Sequence, residues 1–184
     1  MKPISHLRTV LTLTVICSLC GMFVSAVHVL TLPKIRENEK QKTEQSIFEV
    51  FPEAKNMTST SLSVESSIIE ELYRYEDSST KTGAYAAIAA PKGFQGEIRM
   101  CVVVSENGTV LGVRVLSNSE TPGLGEKACE AQYLDAYRGL SGPVLFGDKV
   151  DAVSGATISS RAVLSAVNEV LSTIECLSQK GAEA

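Results

Sequence analysis

Asp151-Ala152-Val153-Ser154-Gly155-Ala156-Thr157 leads directly into a run from Ile158 to Leu177 that holds neither proline nor glycine. In that run Val163, Val167, Val170, Ile174 and Leu177 recur at three-and-four spacing, the signature of one buried helical face. Ser154, Gly155 and Thr157 are residue types that open helices and leave backbone N–H groups free. A helix start of this kind suits an anion, because unpaired N–H groups and the helix dipole both favour negative charge. Thr157, Ser159 and Ser160 crowd hydroxyls there, and Arg161 in the first turn opposes the dipole unless an anion sits nearby. Local chemistry leaves two readings open, a capped helix start without ligand and a phosphate site.

Working outward, the chain of 184 residues is 44% apolar and 21% charged, enough for one globular domain plus an appendage. A net charge of −4 without a basic cluster argues against nucleic acid. The appendage is N-terminal. Residues 9–32 carry no Asp, Glu, Lys or Arg, and at about 1.5 Å per residue they reach roughly 36 Å, enough to cross a bilayer core with some tilt. A cleaved signal peptide competes, with Lys2 and Arg8 as its basic region and Val24-Ser25-Ala26 as its cleavage site. The apolar run continues past that site to Leu32, which favours an uncleaved anchor. Lys34, Arg36, Lys40 and Lys42 beyond it outnumber Lys2 and Arg8 before it, so charge counting alone would leave the following domain in the cytoplasm.

Cys17 and Cys20 share a face of that helix and read as small packing residues rather than a redox pair. Cys101 and Cys176 sit in apolar patterns and are expected to be buried thiols. His6 and His28 both precede the domain, so Ser154 and Thr157 have no histidine base within it and a hydrolase is disfavoured. No Cys/His spacing suggests a metal, and no G-x-G-x-x-G follows a strand.

Lys34 to Phe51 reads as a charged helical stalk that stops before Pro52. Residues 56–67 suggest a loop or short edge strand. Strands are expected over Glu71–Tyr75, Ala84–Ala90, Glu97–Val104 and Val110–Leu116, the last two joined by a hairpin at Glu106-Asn107-Gly108. A helix from about Glu126 to Tyr137 and a short strand over Lys149–Val153 complete the pattern. Strands followed by helices without strict alternation indicate an α+β fold with a mostly antiparallel sheet.

The string D-A-V-S-G-A-T resembles the flavinylation motif of the FMN-binding domain family. The resemblance implies that a flavin transferase, using FAD and magnesium, joins FMN to Thr157 through a phosphoester bond, with Asp151 as the acidic residue and Ser154, Gly155 and Ala156 completing the motif. Glu120-Thr121-Pro122-Gly123-Leu124-Gly125, following a hairpin that ends in Val-Arg-Val-Leu, resembles the hallmark loop of the G-type subunits of Rnf-type electron-transport complexes. The exit Leu-Pro-Lys-Ile-Arg-Glu-Asn-Glu, the stretch Val50-Phe51-Pro52 and residues 93–100 resemble the same family. Two departures stand out: Cys17 and Cys20 are not part of its pattern, and residues 83–90 are poor in aromatics.

What this resemblance implies is a layout of a cytoplasmic tail (1–8), a transmembrane anchor (9–32), a helical stalk and linker (33–55) and an FMN-binding domain (56–184). It implies a flavoprotein of a prokaryotic cytoplasmic membrane, with its domain outside, that passes electrons among other subunits of a complex coupling ferredoxin–NAD electron flow to sodium or proton movement. Glu120, Thr121, Gly123, Leu124 and Gly125 would cover or border the flavin. Alternatives are the related subunit of the sodium-translocating NADH:quinone reductase, another extracytoplasmic flavin protein, and a flavin-free structural anchor. A plain helix-entry turn is the competing reading of the glycine loop.

Overall fold

The computed structural model describes residues 3–76, 83–147 and 149–182; Lys2 and the two C-terminal residues of the expected domain lie outside them. The chain divides into two compact units, Met1–Lys42 and Thr43–Ala184. Helix α1 (Pro3–Val50) runs without interruption through Pro33, so the segments read as anchor and stalk are one helix. It is long and apolar enough to cross a membrane. Val10, Leu11, Leu13, Leu19, Phe23 and Val24 are all exposed, around the whole circumference of the helix. An all-round apolar surface suits lipid rather than water. The hydroxyls of Thr12 and Thr14 donate to the carbonyls of Arg8 and Val10 at 2.8 and 3.0 Å, which satisfies them inside the helix where lipid could not.

The second unit is an antiparallel meander with strand order β1-β2-β3-β4-β5. The strands are β1 (Thr58–Leu62), β2 (Ile69–Glu76), β3 (Gly83–Ala89), β4 (Ile98–Ser105) and β5 (Val110–Asn118). The expected loop or edge strand is β1, exposed along most of its length. The hairpin between β4 and β5 turns at Gly108, whose φ of +73° only glycine adopts readily. β3 does not alternate, because it lies centrally and is covered on both faces.

On one face Tyr85, Ala87, Met100, Val102 and Val113 pack against α3 (Thr157–Ala182) through Val163, Val167, Val170 and Ile174. On the other, Ala84, Ala86, Ile88, Cys101 and Val103 meet Ile47 from the end of α1 and Ala54 from the 3-10 turn Pro52–Asn56. Each fully buried valine, isoleucine or methionine among these contributes about 1.5–3 kcal/mol of transfer free energy, and each alanine less. Gly112 permits the approach of α1, since a Cβ there would lie 2.6 Å from Val50 Cγ1.

Three local expectations need correction. The expected helix from Glu126 to Tyr137 is a 3-10 turn (Gly125–Cys129), a one-turn helix α2 (Ala131–Leu134) and a second 3-10 turn (Asp135–Tyr137). The break is Glu130, whose backbone is extended at φ −70°, ψ 143°. No strand forms over residues 149–153; the pairing there is an isolated parallel bridge between Phe146 and Val150. Cys101 is buried as expected, but Cys176 is exposed. It lies two residues beyond buried Ile174, about 200° further round the helix and off the apolar stripe.

Candidate functional site

The approach to α3 is built from its own polar groups. The Ala156 N–H donates to the Val153 carbonyl at 2.9 Å, while the Val153 N–H donates to Ser160 Oγ at 3.0 Å from the first turn of the helix. Gly155, at φ +79°, makes the left-handed step that redirects the chain into the helix. A Cβ at Gly155 would also lie 3.0 Å from Leu124 Cδ1, so the motif and the glycine loop approach each other closely.

A second loop leaves β5 at Asn118, whose Oδ1 accepts from the Glu120 N–H at 3.1 Å. The N–H groups of Leu124 and Glu126 both donate to the Thr121 carbonyl, at 3.1 and 3.2 Å, which coils the loop tightly. A third loop precedes β4, closed by the Gly93 N–H donating to the Gly96 carbonyl at 2.7 Å, with Phe94 at its tip.

The Glu120 carboxylate joins all three. Only 6% exposed, it accepts through Oε1 from the N–H groups of Phe94 (2.8 Å) and Gln95 (3.2 Å). Through Oε2 it accepts from the Ser159 hydroxyl at 2.7 Å. The two flanking glycines leave room for it: a Cβ on Gly93 would collide with Oε1, and one on Gly125 with Oε2.

Between these loops lies a cleft of about 300 Å³, lined by Phe94, Glu120, Thr121, Leu124 and Gly125 on one side and residues 155–159 on the other. The cleft thus gathers seven of the sequence-expected residues: Glu120, Thr121, Leu124, Gly125, Gly155, Ala156 and Thr157. Gly123 is exposed in the same loop, and Asp151 and Ser154 are exposed on the turn ahead of the cleft wall. Sequence reasoning assigned no role to Phe94 or Ile158, which are 66% and 53% exposed and form an apolar rim with Leu124. The available signal for Phe94 was an aromatic held between Gly93 and Gly96.

The hydroxyls at the helix start are not equivalent. Ser159 and Ser160 are buried and engaged, by Glu120 and by the Val153 N–H. Thr157 is exposed and faces the cleft. Nearby, burial and the Glu120 and Glu126 carboxylates push the Cys129 thiol up to about 11, so it stays protonated at neutral pH and makes a poor nucleophile.

An apolar rim over polar loop backbone and a helix N-terminus fits a flat aromatic group carrying a phosphate. The volume is at the lower end of the about 300–1,000 Å³ of ligand clefts, room for part of such a group. The fold thus carries a domain of the FMN-binding class: residues 93–172, which include every residue lining this cleft, match that domain family. Residues 1–50 match the RnfG N-terminal region.

The G-type subunit of the ion-translocating oxidoreductase complex from Pasteurella multocida is 31% identical, over 91% of this chain and 93% of its own length. Its counterpart from Shewanella piezotolerans is 30% identical over 89% of this chain and 86% of its own. The crystal structure of Shewanella oneidensis NqrC matches 59% of this chain and 62% of its own at 26% identity, with a TM-score of 0.43. The chain belongs to the RnfG family, the G-type subunits of ion-translocating oxidoreductase complexes.

Proposed function

We propose that this chain is the membrane-anchored flavoprotein subunit of an Rnf-type complex, carrying FMN on Thr157 and relaying electrons between partner subunits while ions cross the membrane. The observation that carries the attachment is the inequivalence of the hydroxyls. Among Ser154, Thr157, Ser159 and Ser160, only Thr157 is both exposed and on the cleft wall. Attachment by a flavin transferase forms a bond between Thr157 Oγ1 and the FMN phosphorus of FAD. AMP leaves as the pyrophosphate bond breaks, and the threonine proton is lost. The resulting phosphodiester keeps one negative charge, which the N-terminus of α3 stabilises.

The bound flavin supplies one- and two-electron redox chemistry. The chain supplies position: Thr157 tethers the phosphate, Phe94, Leu124 and Ile158 offer apolar contact, and the Thr121–Gly125 backbone borders the cleft. Residues 9–32 would hold the carrier at high effective concentration near its membrane partners. Because the transferase of this family works outside the cytoplasmic membrane, the domain would face outward, against the charge count of residues 34–42.

The experiment is expression of the full chain with the flavin transferase. Wild type gains the FMN mass and in-gel fluorescence, Thr157→Ala loses both, and Thr157→Ser keeps part of the labelling. Fluorescence persisting in Thr157→Ala would place the bond at another residue.

A further inference from the structure

Glu120 is an ionisable side chain sealed beneath a cleft, bonded to two segments distant from it in sequence. We propose that Glu120 is a positioning residue whose buried carboxylate fixes the wall of the cleft and holds down the reduction potential of the flavin attached there. The inference rests on the attachment at Thr157 and adds what sets the electronics of that site.

Its three bonds span separations of 26, 25 and 39 residues, to Phe94, Gln95 and Ser159. One side chain thereby sets the position of the rim aromatic and of the first turn of α3. Both oxygens act as acceptors, the pattern of a carboxylate, and the flanking Gly93 and Gly125 admit it where any Cβ would collide. Truncation would take the acceptor from two backbone N–H groups and from the buried Ser159 hydroxyl, and a buried hydroxyl does not forgo its partner cheaply.

The charge matters as well as the bonds. A carboxylate that is 6% exposed is poorly screened by water, and it lines the same cleft as Thr157. Reduction adds negative charge, so a fixed anion at the cleft disfavours it. Removing the charge while keeping the shape therefore raises the midpoint potential.

The test uses the full-length protein in detergent, with and without co-expressed flavin transferase, as wild type, Glu120→Gln and Glu120→Ala. Glu120→Gln should carry FMN on Thr157, keep slow amide exchange at Phe94 and Gln95, and titrate at a more positive potential than wild type. Glu120→Ala, examined without flavin, should lose amide protection at those two residues by about tenfold or more. A flavin-bearing Glu120→Gln protein that titrates at the wild-type potential overturns the electrostatic role. Unchanged exchange in a folded Glu120→Ala protein overturns the clamp; should that variant not fold, the potential of Glu120→Gln decides. A wild-type chain without FMN on Thr157 would overturn the attachment reading instead, and the exchange measurement on unflavinylated protein separates the two failures.

Discussion

Gly125 and Gly123 sit two residues apart and are required for different reasons. Gly125 is buried and its missing Cβ makes room for Glu120, whereas Gly123, at φ +74°, has open space around it. Gly125→Ala must push aside a carboxylate pinned by three donors, so it should cost about 1–3 kcal/mol in denaturant unfolding. Gly123→Ala should cost about 1–2 kcal/mol through backbone strain alone. Equal loss of amide protection at Phe94 in both variants would contradict that separation, because only the first disturbs Glu120.

A pH dependence is also set at single residues. Burial raises the Cys101 thiol from 9.0 to about 12, and burial with two neighbouring carboxylates raises Cys129 from 9.0 to about 11. Unfolding returns each thiol to its ordinary value, so above pH 9 the unfolded chain ionises first. The stability from burying neutral thiols is fully present below pH 9 and is lost as pH climbs toward 11 and 12. The melting temperature should fall increasingly steeply above that point, and Cys101→Ala should flatten the slope; an unchanged slope would assign the alkaline loss to other groups.

Among the elements, the end of α1 is the one whose packing the sequence least advertises. It is the continuation of an apolar helix, yet Ile47 is 1% exposed, and Glu49 accepts from Arg114 Nε on β5 at 3.0 Å. Arg114 also donates to Asp135 at 2.8 Å, but these partly exposed ion pairs contribute little beside the apolar contact. The contact is tight at Gly112. Gly112→Ala should destabilise the domain by about 1–3 kcal/mol. Val50→Ala in the same chain should recover part of that loss, because the two side chains compete for one space. Strict additivity in the double variant would mean that α1 yields elsewhere.

For the whole molecule the deciding question is which side of the membrane the second unit occupies. The proposed attachment of FMN needs the flavin transferase on the side of Thr157. A reporter fused after Ala184 that works only outside the membrane should be active, and one that works only in the cytoplasm should be silent. The reverse pattern would return the domain to the side indicated by Lys34, Arg36, Lys40 and Lys42.

Local pattern by itself determined most of the elements. The apolar run of residues 9–32, the three-and-four spacing beyond Thr157 and the asparagine–glycine hairpin each depend on nearby residues, and all appear in α1, α3 and the turn between β4 and β5. The two motifs also marked the loops that form the cleft, because glycine-rich turns and helix starts carry their own signatures. Only the tertiary structure decided that Gly93–Gly96 joins them, that Glu120 turns inward and that Phe94 and Ile158 make the rim. It also decided that Glu130 breaks the expected helix. The inward turn of Glu120 depends on hydrogen bonds between residues 25 to 39 positions apart. Neither periodicity nor propensity encodes such pairings, and they exist only once the sheet and α3 have brought the three segments together.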